Sequence, residues 1–147
     1  MCDSRLETSG GTENPWMCGR RKRPRDDNRP WRLARRFCLH VYEVTRTFPD
    51  HELYGLRSQL RRASVSVMSN IAEGAARRTT KSYLSFLYDA RGSLEEIDSQ
   101  LILSGDLGYL TARDLSDATK CFQRLSGSLQ GLINALENRV DRRGSSR

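Results

Sequence analysis

Two apolar series in the second half of the chain advance by alternating steps of four and three residues. One is Tyr83, Leu87, Ala90, Leu94, Ile97 and Leu101; the other is Leu115, Ala118, Phe122, Leu125, Leu129, Leu132 and Leu136. Steps averaging about 3.5 residues keep a narrow apolar stripe on one side of an α-helix, the seam along which long helices pack lengthwise. A seam is a packing device, so it fixes architecture and leaves chemistry open.

The first half carries the same signal in shorter form. Leu33, Phe37, Val41, Val44 and Phe48 recur at helical spacing between Pro30, tolerated at a helix start, and Pro49, which ends the pattern. Leu56, Leu60, Ala63, Val67 and Ile71 form the inward stripe of a second helix, with Gly74 expected to supply a left-handed stop and Thr79 or Thr80 to cap a third. A break near Gly105 to Tyr109 precedes a fourth helix capped by Thr111 or Asp114. Four helices with short connections predict an all-α, up-down-up-down antiparallel four-helix bundle over residues 31–137. Residues 1–30 read as a disordered basic leader and 138–147 as a disordered basic tail. Met1 and Met17 are both possible starts.

No stretch approaches the roughly 20 apolar residues of a membrane span, and no short apolar run follows the basic N-terminal residues as a secretion signal requires. The expected location is cytoplasmic, with no membrane partner. Cys2, Cys18, Cys38 and Cys121 form no CxxC pair, and His40 and His51 belong to no metal-ligand repeat. Neither a metal nor a cofactor is expected. Cys38 and Cys121 fall on helical apolar faces and read as reduced core thiols.

The formal net charge of +7 is unevenly spread. Arg57, Arg61, Arg62, Arg77, Arg78 and Lys81 have only Glu73 among them, whereas the third and fourth helices are net acidic. Arginines along one helix and across the next turn can contact successive phosphates without reading base sequence. Arg61, Arg62, Arg77, Arg78 and Lys81 are therefore candidate nucleic-acid contacts, as is the leader's run Arg20, Arg21, Lys22 and Arg23. Two plainer readings stand beside these: the leader as a solvated tail, and the helical block as a surface that docks on the acidic helices of a neighbouring subunit.

The residues Gln59-Leu60-Arg61-Arg62-Ala63-Ser64-Val65-Ser66-Val67, followed by Asn70-Ile71-Ala72-Glu73-Gly74 and Arg77, closely resemble the signature of a bacterial four-helix-bundle family named after 23S rRNA intervening-sequence proteins. The resemblance extends upstream to Phe48-Pro49 and Glu52-Leu53-Tyr54-Gly55-Leu56, and downstream through Tyr83, Phe86-Leu87, Ala90-Arg91-Gly92-Ser93-Leu94 and Gln100-Leu101. Ser64 departs from the family's usual alanine. The family includes the accessory variability protein of diversity-generating retroelements, a ring of five bundles with a basic surface that binds nucleic acid and docks with a reverse transcriptase. The resemblance thus implies a non-catalytic RNA- or DNA-binding accessory protein, a ring-shaped homo-oligomer such as a homopentamer, and a reverse transcriptase as a further partner. The alternative is a structural or toxin-antitoxin-like interaction module with no nucleic-acid role.

An enzymatic reading of Asn70, Glu73, Arg91 and Ser93 is set aside. No histidine or cysteine is poised as base or nucleophile, and there is no glycine-rich phosphate loop or di-iron carboxylate-histidine pair. A buried Glu73–Arg91 pair fixing helix register is expected instead, with Gly92 and Ser93 permitting close helix approach.

Overall fold

The computed structural model describes residues 27–144. Within that range it is all-helical: α1 (Arg29–Val44), two single-turn 3-10 segments (Thr45–Thr47 and Asp50–Glu52), α2 (Leu56–Ala75), α3 (Thr80–Asp106) and α4 (Ala112–Gly144). Each long helix packs on two others, α1 on α2 and α4, and α3 on α2 and α4, which leaves α1 and α3 diagonal across the core. Gln59 pairs with Gln100 and Ser66 with Ser93, while Tyr88 pairs with Glu137 and Arg91 with Gln130. In both sets one number falls as the other rises, so α3 runs opposite to each of its neighbours.

The expected stripes form the core. Phe37, Val41, Leu60, Val67, Ile71, Leu87, Leu94, Ile97, Leu101, Leu125 and Leu129 are buried almost completely, each such side chain contributing about 1.5–3 kcal/mol relative to exposure. Two details differ from the sequence pattern. Ile133 is fully buried and Leu132 only partly. At about 3.6 residues per turn the seam drifts from a strict 3.5-residue repeat, and in the last turns of α4 it has rotated from Leu132 onto Ile133. At the start of α3, Leu84 is buried and Tyr83 lies at the core's edge.

The helix ends show which local signals decide. Asn28 caps α1, its Oδ1 accepting from the Trp31 amide at 3.3 Å, and Pro30 sits inside the first turn. Thr79 caps α3 by accepting from the Ser82 amide, and Thr111 accepts from the Asp114 amide at the head of α4. The left-handed stop lies at Gly108 (φ 77°) and not at Gly74. There the Gly108 amide donates to Gly105 and the Tyr109 amide to Ser104, both at 2.9 Å, a Schellman closure of α3. Gly74 is helical and buried because α3 crosses it: a Cβ there would lie 2.6 Å from the Tyr83 ring and 3.0 Å from Phe86 Cβ. Gly92, expected to permit such an approach, faces open space.

The C-terminal boundary at 137 also shifts. α4 continues to Gly144, although its last buried residue is Leu136 and residues 138–144 are exposed. Cys38 is a free, buried thiol as expected, whereas Cys121 is disulfide-bonded.

Candidate nucleic-acid interface

The structure divides the candidate cations into three groups. Arg77, Arg78 and Lys81 stand together and exposed in the turn between α2 and α3 and the first turn of α3. The Arg77 guanidinium lies over the Phe86 ring, 4.4 Å from its centroid, which holds the charge at the surface while leaving its outer N–H groups to donate. No acidic residue occupies the first turn of α3.

Arg61 belongs to a different structure. It is half-buried on the flank of α2 that meets α1, where its Nε donates to Thr45 Oγ1 at 2.9 Å and its Nη2 to the Tyr42 carbonyl at 3.3 Å. The same guanidinium covers the Tyr42 ring at 4.7 Å. The last turn of α1 has no basic residue of its own, so Arg61 supplies the cation that its carbonyls favour. In the structure Arg61 thus acts as a clamp between α1 and α2. Thr45 completes the clamp, its buried hydroxyl donating to the Val41 carbonyl at 2.7 Å.

Arg62 is exposed on the opposite flank, beside α3, in a shallow groove lined by Gln59, Ala63, Ser66, Ser93 and Glu96. Fifteen residues separate it from Arg77, about 22 Å at about 1.5 Å per residue, so the two cannot serve one phosphate. Arg20, Arg21, Lys22 and Arg23 lie outside the described residues.

The expected Glu73–Arg91 pair does not form. Both side chains are exposed, and Arg91 turns towards α4, donating to Gln130 Oε1 at 3.2 Å and lying over Tyr88. Two residues along α3, Ser93 points the other way and meets Ser66 at 3.1 Å, because positions two apart on a helix diverge by about 200°. Asn70 donates to the same Ser66 hydroxyl. These polar residues tie α2 to α3. Among the described residues no group of three or more His, Cys, Asp or Glu could hold a metal, and no helix is long and apolar enough to cross a membrane.

The fold adds cations to the turn that lie in separate segments of the sequence. Asn28 Nδ2 donates to the Tyr83 hydroxyl at 3.1 Å, which brings the start of α1, with Arg29 and Arg32, to the end of the bundle where α3 begins. The pairing of Tyr88 with Glu137 brings the last turns of α4, with Arg139, Arg142 and Arg143, to that end as well. Asp27, Glu73, Asp89, Glu137 and Asp141 are carboxylates interspersed there. The gathering unites basic clusters from the first, middle and last parts of the described residues, which no local sequence pattern displays. Tyr83 itself has its pKa raised by burial, partly offset by the Asn28 hydrogen bond.

Residues 26–131 match the family model described as 23S rRNA-intervening sequence protein. The structure is similar to the crystal structure of a protein with unknown function from the S23 ribosomal protein family of Bacteroides thetaiotaomicron VPI-5482. The TM-score is 0.66 at 15% identity, over 71% of this chain and 95% of that one. Likeness at that identity concerns the fold alone. No curated protein matches the chain. With the family model spanning α1 to most of α4, the chain belongs to the 23S rRNA-intervening sequence protein family.

Proposed function

We propose that this protein is a non-catalytic, homo-oligomeric nucleic-acid-binding accessory protein, built as an up-down-up-down bundle whose basic pole contacts phosphate. The observation that carries this reading is the exposed set Arg77, Arg78 and Lys81, with the arginines that begin α1 and end α4 gathered at the same end. Cations of this kind bind backbone charge and not base edges, so affinity is sequence-indifferent and salt-dependent. The aromatic side chains nearest the turn are already engaged: Phe86 is covered by Arg77, and Tyr83 is committed to Asn28. Stacking of single-stranded bases is therefore not part of the reading.

The experiment is a salt series of oligonucleotide binding by the parent and by the triple variant Arg77→Gln, Arg78→Gln, Lys81→Gln. The variant should bind every sequence more weakly, with the slope of log affinity against log salt flattened by about one unit for each phosphate no longer neutralised. Unchanged affinity and slope would favour the interaction-module alternative. A reverse transcriptase partner rests on family resemblance alone, and co-purification with such an enzyme encoded beside it is its test.

A further inference from the structure

The side of the bundle where α2 meets α3 carries a polar seam that phosphate binding at the cationic pole does not use. At one end of it Gln100 Nε2 donates to Gln59 Oε1 at 3.3 Å, and at the other the Ser66 and Ser93 hydroxyls meet at 3.1 Å. Between these crossings lies a groove of about 330 Å³, with buried Ala63 in its lining. That volume is at the lower end of ligand-sized cavities.

Arg62 lines the groove from α2 and Glu96 from α3, and the two do not pair with each other. Arg62 has no hydrogen-bond or ion-pair partner among the described residues. Glu96 is held instead by Gln100, whose Nε2 donates to its Oε1 at 2.9 Å. That bond positions the carboxylate and leaves its second oxygen for another donor. The hydroxyls are ordered as well: Asn70 Nδ2 donates to Ser66 Oγ at 3.2 Å, so Ser66 can pass its own hydrogen to Ser93, and Ser93 keeps a hydrogen for the groove. Gln100 Oε1, beside these groups, is buried without a hydrogen-bond partner, the kind of orphan acceptor that ordered water or a ligand normally satisfies.

We infer that this groove binds a small zwitterion of the amino-acid type, with the carboxylate on the Arg62 guanidinium and the Ser93 hydroxyl and the ammonium on Glu96. Charge selects the class. A guanidinium matches a carboxylate in two parallel bonds, and a positioned carboxylate across from it favours a cationic group on the same molecule. A phosphate chain would gain at Arg62 and be repelled at Glu96, so the groove discriminates against the ligand that the cationic pole attracts. The site goes beyond the nucleic-acid reading and does not depend on it.

The test follows backbone amide chemical shifts of the full chain during titration with glycine, and separately with acetate, methylammonium and inorganic phosphate. Glycine should shift the amides of Ser66, Ser93 and Glu96 saturably, with a Kd in the millimolar range suited to exposed charges. Arg62→Gln and Glu96→Gln lie at exposed positions, so their circular dichroism should equal the parent's. Each should raise the Kd by about tenfold or more, the loss of one charge-assisted pair. Exchanging the charges, with Arg62→Glu and Glu96→Arg in one chain, should restore binding. Shifts that do not saturate, single variants that bind as the parent does, or acetate or phosphate binding as tightly as glycine would each overturn the inference, the last by making the groove a plain anion contact. None of these outcomes bears on the cationic pole, whose salt series changes Arg77, Arg78 and Lys81.

Discussion

The two ends of the bundle are closed by different means. Where residues 48–55 meet 107–111, Phe48 packs on Tyr109, the Tyr109 hydroxyl donates to Glu52 Oε1, His51 Nε2 lies 3.1 Å from that hydroxyl, and Glu52 Oε2 accepts from the Leu56 amide to start α2. Side chains from two connections clasp that end. At the other, Arg77, Arg78 and Lys81 face solvent in the turn and the first turn of α3, and the cross-element ties include the bond from Asn28 to Tyr83 and the pairing of Tyr88 with Glu137. The difference teaches a division of labour: one end is fastened by polar and aromatic contacts, while the other leaves its charges available because the buried seam beneath it supplies the stability.

The strongest way to break the comparison is to weaken the seam that both ends share. Leu94→Ala, at a fully buried position in mid-α3, should cost about 2–5 kcal/mol of unfolding free energy, and hydrogen exchange should show both ends opening together. If only one end loosened, the ends would be independent units. Next in size is Gly74→Val, which drives side-chain atoms into Tyr83 and Phe86. It should destabilise by about 1–3 kcal/mol and disturb the cationic end first, as chemical shifts around Tyr83 would show. Glu52→Ala removes the α2 cap and the Tyr109 acceptor at the clasped end. A drop of about 1–2 kcal/mol in a denaturant titration is expected; no drop would make the clasp ornamental.

Gln substitution of Arg77, Arg78 and Lys81 should leave stability within about 0.5 kcal/mol of the parent, even as phosphate binding falls. A melting temperature that dropped sharply would turn those cations into fasteners. The smallest effect concerns pH. Burial raises the Tyr83 pKa above 10.0, so folding favours the neutral phenol. Its contribution is complete below the unfolded value and declines as pH climbs through the folded one. Tyr83→Phe should therefore lose less stability than the parent across that alkaline window, measured by urea unfolding at a series of pH values. Equal declines would contradict the assignment.

Spacing makes the helices, most of the core and the family legible in the sequence, because apolar periodicity and local caps such as Thr79 and Thr111 are written in neighbouring residues. Gly74 misleads for the opposite reason. A glycine near a helix end looks like a stop, and only α3 lying over it reveals that lack of volume is what matters. Arg61 and Arg62 are adjacent in sequence and chemically alike, yet one clamps α1 and the other borders a groove on α3. Residue type specifies their charge, and the flanking helices specify its use.

Asn28 has a further consequence, for the order in which the chain acquires structure. Its carbonyl oxygen caps α1 locally, while its amide nitrogen reaches a tyrosine 55 residues away on the diagonal helix. Helix nucleation is costly and a local cap lowers that cost at once, whereas the distant bond requires α3 to be in place and the intervening loop to be closed. The first turn of α1 is thus held twice by one side chain, locally through the cap and at a distance through the assembled bundle, so replacing Asn28 removes a local and a long-range restraint together.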